Sequence, residues 1–129
     1  MNPVRQIGES LVKRGPIAKL SLEFAVAISK LADRLSENRD YRFADQIGRS
    51  GASIGANIRE ADYAQSKADF ISKLQIALKE AAETEFWLEL LCRVGKISEE
   101  EYQNLNNTCG QIIAMLTASI NTASKNIRK

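Results

Sequence analysis

The chain has 129 residues, of which 44% are hydrophobic and 26% are charged, and its formal net charge is +2. This length and composition are typical of one folded domain and exclude an intrinsically disordered chain. The sequence contains no histidine, which removes the commonest general base and the commonest metal ligand and excludes Ser-His or Cys-His catalysis. We therefore expect a protein that is not an enzyme and that has no cofactor or metal site.

Basic residues are concentrated at the two ends of the chain. Residues 1–19 carry four basic side chains and one acidic one, residues 125–129 carry three basic ones, and the part between them is net acidic. Because nucleic-acid binding requires a basic surface, only the ends are candidates for it. The candidate contacts are Arg5, Lys13, Arg14, Lys125, Arg128 and Lys129.

The sequence has no feature that predicts contact with a membrane. No apolar run approaches the roughly 18 residues needed to cross a bilayer, and charges interrupt the N-terminal segment where a signal peptide would be apolar. We therefore expect a cytoplasmic protein.

Apolar residues recur at the 3.6-residue period of an amphipathic helix in four segments. They predict helices at residues 16–36, 41–64, 67–94 and 99–124, with a short helical stretch before Pro16. Ser66 with Asp69, and Ser98 with Glu101, have the spacing of capping boxes at the starts of the third and fourth helices. Four helices with short connections predict an all-α, antiparallel up-and-down four-helix bundle, formed as one domain over residues 1–129 with basic tails.

The second predicted helix separates its residue types onto different faces at about 100° per residue. Its apolar face consists of Phe43, Ile47, Gly51, Ile54 and Ile58. Hydrogen-bonding side chains form a second face, here called the polar stripe: Gln46, Arg49, Ser50, Ser53, Asn57 and Glu60. The helix also contains three glycines, each costing about 1 kcal/mol relative to alanine, which indicates close packing against another helix.

The polar stripe has three interpretations. It is most simply a buried or interfacial hydrogen-bond network between helices, in which Arg49 pairs with Glu80, Glu83 or Glu85 of the third helix. A second interpretation is a surface for a protein or a nucleic acid, since Arg42 and Arg59 share the helix with Arg49. A carboxylate metal site is the weakest, because such sites in bundle cores use Glu-x-x-His pairs.

The third predicted helix carries a second apolar patch besides its core face. Its members are Ile76 and, clustered near the C-terminal end, Phe86, Trp87, Leu90 and Val94. A bundle helix needs only one apolar face, and an exposed aromatic patch usually marks an interface. The last four residues are therefore candidates for a homo-oligomer interface. The alternative is that a wide core or the N-terminal segment covers the patch.

The two cysteines are predicted to remain reduced. Cys92 and Cys109 fall on consecutive helices, at positions that differ in height by roughly 15 Å. A disulfide requires Cα atoms within about 7 Å of each other, so we expect two free, largely buried thiols.

Several segments together resemble one protein family. RSGASIGANIREA (49–61), AQSKADF (64–70), IALKEAAETEFWLELL (76–91) and LSLEFAVAISKL (20–31) are similar to the four-helix-bundle family of proteins encoded by 23S ribosomal RNA intervening sequences. The resemblance implies a homo-oligomer, a pentameric ring in characterised relatives, and no known enzymatic activity. One branch of the family consists of accessory proteins of diversity-generating retroelement reverse transcriptases, which bind nucleic acid through a strongly basic surface.

This chain departs from that branch because its central part is net acidic. It departs from the family pattern at Arg59, where relatives often have a small or acidic residue. We expect a non-catalytic binding or scaffold protein, with RNA or DNA as the leading partner class. The alternative is a protein–protein adaptor, including a role like that of the reverse-transcriptase accessory proteins.

Overall fold

A computed structural model of the protein describes residues 15–128, and the side chains of residues 15–125. This part of the chain forms four α-helices and no strand, which confirms the all-α prediction. The helices are α1 (Pro16–Glu37), α2 (Tyr41–Ala61), α3 (Lys67–Arg93) and α4 (Glu99–Arg128). Residues 1–14, with the predicted N-terminal helical stretch and the candidate contacts Arg5, Lys13 and Arg14, lie outside the described residues, as does Lys129.

Two helices end more than one residue away from their predicted ends. Helix α2 stops three residues early, because the N–H groups of Asp62 and Tyr63 donate to the carbonyls three residues back and close the last turn tightly. Helix α4 continues four residues beyond its predicted end, to Arg128. Lys125 and Arg128 are therefore part of this helix.

The predicted capping residues begin the third and fourth helices. The Ser66 and Ser98 hydroxyls accept hydrogen bonds from the N–H groups of Asp69 and Glu101, each at 3.0 Å. The Glu101 carboxylate pairs with Arg34 on α1 at 2.7 Å instead of returning to the cap. This ion pair ties the start of α4 to the end of α1.

The helices pack as a ring of neighbours, α1 on α2, α2 on α3, α3 on α4, and α4 back on α1. Each short connection reverses the chain, so successive helices are antiparallel. The core lies between all four helices, and its largest fully buried side chains are Phe24, Ile28, Leu31, Ile47, Ile54, Ile58, Leu74, Leu88, Leu91, Ile112 and Leu116. None of the described helices has an apolar segment long enough to span a membrane.

This topology decides where the first described helix begins and the last one finishes. Helix α1 begins, and α4 finishes, at the same end of the bundle, next to the α2–α3 connection at residues 62–66. The α1–α2 and α3–α4 connections lie at the opposite end. The two basic segments of the sequence are therefore attached to one end of the molecule.

Helices α1 and α2 approach closely at Gly51. A Cβ atom at this position would lie 2.5 Å from Cγ2 of Ile28, which is closer than non-bonded contacts of real Cβ atoms. Only glycine allows this approach, which explains why the helix contains a residue of low helix propensity.

Candidate functional site

The polar stripe of α2 is divided between three environments. Ser50 is fully buried, Ser53 and Asn57 are half-buried, and Gln46, Arg49 and Glu60 are exposed. The polar stripe is therefore not one continuous buried network, and its parts have different neighbours.

The buried member of the polar stripe is Ser50. It contacts Thr84 of α3, a residue that the sequence analysis did not single out. Their hydroxyl oxygens are 2.9 Å apart, and the Thr84 hydroxyl also lies 2.8 Å from the carbonyl oxygen of Glu80. The Ser50 hydroxyl lies 3.4 Å from the Ile47 carbonyl oxygen. Thr84 lies on the core face of α3, between Ala81 and Leu88. A polar residue in this apolar series is the sequence feature that could have identified Thr84 as a buried hydrogen-bonding partner.

The exposed part contains an ion-pair cluster between α2 and α3. Nη1 of Arg49 lies 2.8 Å from Oε2 of Glu80, and Nη2 pairs with Glu83. Glu83 also accepts a hydrogen bond from the indole N–H of Trp87 at 3.2 Å. The hydrogen bonds that Arg49 donates to Glu83 and, second, to Glu80 raise the pKa of Arg49 above its ordinary value. The Arg49 side chain remains 49% exposed, so this cluster lies on the surface.

The other members of the polar stripe make local or peripheral contacts. The Asn57 amide donates to the Ser53 carbonyl oxygen of the same helix at 2.9 Å. Glu60 pairs with Lys73 of α3 at 3.3 Å. Of the three predicted carboxylate partners, Glu85 lies apart from Arg49, in a groove between α3 and α4.

The predicted interface residues of α3 divide into two pairs. Phe86 and Val94 are 59% and 50% exposed. Trp87 and Leu90 are half-buried and pack against the core. The Trp87 ring meets Phe43 of α2 edge-on, with centroids 6.4 Å apart, and meets Phe86 at 5.2 Å. Phe86 and Val94, with Ile76 at 41%, are thus the exposed members of the predicted patch.

Two grooves lie on opposite sides of the bundle. The α1–α2 groove has a volume of about 240 Å³ and is lined mainly by small residues. The α3–α4 groove has a volume of about 350 Å³, and its lining is acidic and aromatic: Ala82, Glu85, Phe86, Glu89, Tyr102 and Asn106. Burial, followed by the negative charge of Glu89, raises the pKa of the Tyr102 hydroxyl.

Exposed basic side chains are present at the end of the bundle where α1 begins and α4 finishes. They are Lys19 of α1, Arg59 of α2, Lys67 of α3 and Lys125 of α4. Of the six predicted nucleic-acid contacts, Lys125 is the one whose side chain the structure describes, and the backbone of Arg128 continues α4 at the same end.

The cysteines are unlinked, and the described residues contain no cluster of three or more histidine, cysteine or carboxylate side chains suited to a metal. Cys109 is fully buried, and burial raises the pKa of its thiol to about 12. The Cys92 sulfur lies 3.3 Å from a carboxylate oxygen of Glu99, and its pKa is raised by partial burial and then by this contact. Thiols with raised pKa values are poor nucleophiles at neutral pH.

These features define an all-α protein of four helices. The sequence profile of the 23S rRNA-intervening sequence protein family matches residues 14–118, and the chain belongs to this family. This confirms the resemblance seen in the sequence.

The chain is also similar to a solved structure, the crystal structure of a protein with unknown function from the S23 ribosomal protein family of Bacteroides thetaiotaomicron. The two sequences are 52% identical, the TM-score is 0.79, and the match covers 81% of this chain and 95% of the other. No curated protein matches the chain.

Proposed function

We propose that the protein is a non-catalytic binding protein of the cytoplasm that acts as a homo-oligomer and binds RNA or another nucleic acid through one end of its bundle. The observation that carries this proposal is that α1 begins and α4 finishes at the same end of the bundle. Two basic segments that are far apart in sequence are attached to the same end of the molecule, beside Lys19 and Lys125.

The two ends of the bundle differ in charge. At the opposite end, α4 begins with Glu99, Glu100 and Glu101, and Asp40 lies in the α1–α2 connection. Arg34 and Lys96 pair with Glu101 and Asp40 at that end, and Glu60, Asp62 and Asp69 lie near the α2–α3 connection, so the difference in charge is partial. A partial excess of basic side chains at one end still orients a polyanion towards it, although the net charge of the molecule is small. The acidic middle of the sequence therefore does not exclude binding at the basic end.

Assembly strengthens the proposal, because a single basic end offers few phosphate contacts. Exposed Phe86 and Val94 provide an apolar patch for contact between copies. The family resemblance implies a pentameric ring, in which identical basic ends would act together on one nucleic acid. Linked weak sites of this kind gain affinity by about 10²-fold or more without any new contact.

The test of binding uses purified full-length protein and a single-stranded RNA at several salt concentrations. We expect log K to fall linearly with log salt, by about 0.7 for each phosphate neutralised. Lys19→Ala with Lys125→Ala should weaken binding and lower the slope by about 1 to 2. Lys30→Ala with Lys96→Ala removes the same charge away from the basic end and should change binding much less. Removing residues 125–129 should also weaken binding.

Absence of binding at low ionic strength, or an equal effect of the two double variants, would reject the nucleic-acid function. The assembly is tested separately by sedimentation. Phe86→Ser with Val94→Ser should shift the protein towards the monomer, while Ile76→Ser on the same helix should not. A wild-type protein that is monomeric at micromolar concentration would reject the interface.

One observation favours the alternative function, a protein–protein adaptor. The α3–α4 groove combines Glu85 and Glu89 with the ring of Phe86, and carboxylates beside aromatic faces suit a lysine or arginine side chain. An adaptor would bind a basic peptide there, with affinity lost in Glu85→Gln with Phe86→Ala and unaffected by Lys19→Ala with Lys125→Ala. Peptide binding without RNA binding would favour this function over the first.

A further inference from the structure

The solvent-facing side of α4 carries no charge over most of its length. Residues 102–124 contain no aspartate, glutamate, lysine or arginine, whereas the longest such run elsewhere in the chain is residues 50–58. A helix of a bundle normally carries charged residues on the side that faces water. Depletion of charged residues is the compositional mark of the core of a protein–protein interface. The exposed side of α4 is therefore a candidate for contact with another protein.

A line of small and amide side chains runs along this exposed side and is here called the α4 stripe. The residues are three or four positions apart, which places them on one side of the helix. Small residues in the middle of the α4 stripe allow another helix to approach to about 8 Å between axes. The members are Gln103, Asn107, Gly110, Ala114, Ala118 and Asn121, of which Gly110 is half-buried and the others are exposed.

We propose that the α4 stripe packs antiparallel against the α4 stripe of a second copy of the protein, with Ala114 at the two-fold axis. This inference rests on the proposed homo-oligomer and deepens it, because it names a surface through which two copies meet. It does not require nucleic-acid binding. A contact of this symmetry joins two copies, so it adds to a ring rather than closing one.

The order of residues along the α4 stripe is complementary to itself when the helix is reversed. Gly110 and Ala118 are each four residues from Ala114, and Asn107 and Asn121 are each seven residues from it. In an antiparallel pair centred on Ala114, small residues therefore lie opposite small residues, and an amide lies opposite an amide. An amide side chain both donates and accepts hydrogen bonds, so two facing asparagines can bond to each other.

The charged ends of α4 determine the direction of the pairing. The helix begins with glutamates at 99–101, of which Glu100 is exposed, and the next charged residue along it is the exposed Lys125. Position 128, an arginine whose backbone continues α4, is as far from Ala114 as Glu100 is. An antiparallel pair therefore brings an acidic and a basic end together twice. A parallel pair would place like charges side by side at both ends, which costs affinity.

The α3–α4 groove borders the α4 stripe near the acidic end of the helix. Asn106 of α4 lines this groove with Glu85, Phe86 and Glu89 of α3, and Arg93 pairs with Glu89 at 3.3 Å. Two carboxylates and one guanidinium leave this border net negative. In the antiparallel arrangement the border lies beside the basic end of the second α4, so its charge favours the same partner.

The area of the contact indicates a weak, reversible association. The segment from Glu100 to Arg128 is about 42 Å long, and a helix is about 10 Å wide, so pairing covers about 400 Å² of each copy. A standard interface buries about 800 Å² of each partner. Phe86 is 59% exposed and adds roughly 100 Å² per copy. The total then reaches about 1,000 Å², the lower limit of a specific interface.

The first test is disulfide crosslinking of single cysteines in the full-length chain carrying Cys92→Ser. Ala114→Cys should crosslink two copies, because a residue at the axis faces itself. Asn107→Cys and Asn121→Cys should crosslink to each other, when mixed, at least about tenfold faster than either does to itself. Two copies of Asn107 are about 21 Å apart along the paired helices, whereas a disulfide requires Cα atoms within about 7 Å.

Ala56→Cys, at an exposed alanine of α2, measures crosslinking by random collision. Self-crosslinking of Asn107→Cys as fast as that of the mixture would overturn the antiparallel pairing. Crosslinking of Ala114→Cys no faster than that of Ala56→Cys would overturn the contact itself.

The second test is charge reversal, followed by sedimentation equilibrium without nucleic acid. Glu100→Lys should raise the dissociation constant at least about tenfold, because it places like charges together at both ends. Adding Lys125→Glu with Arg128→Glu to this variant should restore association. Asp45→Lys makes the same reversal at an exposed position of α2 and should change nothing. Unchanged association of Glu100→Lys, or failure of the triple variant to recover, would overturn the proposal.

The same measurements separate this pairing from the assembly on which it rests. A wild-type protein that is monomeric would reject the homo-oligomer and the pairing together. An oligomer that Glu100→Lys leaves intact, and that Phe86→Ser with Val94→Ser dissociates, would reject the pairing alone.

Discussion

The hydroxyl groups of Ser50 and Thr84 meet at 2.9 Å across the α2–α3 contact, and neither residue is accessible to solvent. Two polar groups in an apolar core are tolerated because each also lies near a backbone carbonyl of its own helix. The two hydroxyls meet only when α3 has one particular rotation about its axis and one particular position along that axis relative to α2. Their contact therefore favours that register over sliding of the two helices.

The Ser50–Thr84 contact should appear as a coupling energy. We expect Ser50→Ala and Thr84→Val each to lower the free energy of unfolding by about 1 kcal/mol. The loss of unfolding free energy in the double variant should be smaller than the sum of the two single losses by at least about 0.5 kcal/mol, because no polar group then remains without its partner. Chemical denaturation of the four proteins completes the cycle.

The matched control for this cycle is Ser53→Ala with Thr108→Val, on α2 and α4. The hydroxyl of Thr108 donates to the Asn104 carbonyl oxygen of its own helix. Their effects should be small and additive. Additive effects at Ser50 and Thr84 would show that the two hydroxyls do not stabilise the α2–α3 contact together.

The close approach of α1 and α2 predicts opposite effects of the same substitution at two glycines. Gly51→Ala should lower the free energy of unfolding by about 1 to 2 kcal/mol, since overpacking against Ile28 outweighs the gain in helix propensity. Gly110→Ala in α4 places its Cβ in open space and should stabilise the protein by up to about 1 kcal/mol. Thermal denaturation gives both values, and a stabilising Gly51→Ala would contradict the close contact with Ile28.

The ion-pair cluster at Arg49 should contribute little to stability, because it lies on the surface. We expect Arg49→Met to lower the free energy of unfolding by less than about 1 kcal/mol at physiological salt, and by less still at high salt. Arg49→Lys retains the charge and serves as the control. A loss above about 2 kcal/mol would mean that Arg49 is buried in the assembled protein, where removing one partner leaves Glu80 and Glu83 uncompensated.

Helical periodicity predicted much of this site and also shows where the prediction was incomplete. Glu80 and Glu83 are three residues apart and share a face of α3, whereas Glu85 is rotated about 200° from Glu83 and faces α4. The same geometry places Trp87, four residues after Glu83, against α2, while Phe86 turns towards solvent. The helical period alone does not fix how α3 is rotated about its axis relative to α2. The sequence therefore could not distinguish the half-buried Trp87 from the exposed Phe86.

The buried thiol of Cys109 makes stability depend on pH in the alkaline range. Its pKa is about 12 in the folded protein, against an ordinary value of 9.0, so the folded state keeps a proton that the unfolded chain loses. This contribution is complete below pH 9 and decreases as pH rises from about 9 towards 12. The free energy of unfolding should fall by up to about 1.4 kcal/mol per pH unit from this group.

The measurement compares denaturation curves of the wild type and Cys109→Ala between pH 8 and 10.5. The variant is less stable at pH 8, because it leaves a small cavity, but its stability should decline less steeply with pH. Titration of lysines and tyrosines is common to both proteins and cancels in the difference. Cys92→Ala should flatten the curve less, because the Cys92 thiol is half-exposed and partly solvated. Identical slopes for the wild type and Cys109→Ala would show that the thiol of Cys109 ionises as readily in the folded bundle as in the unfolded chain.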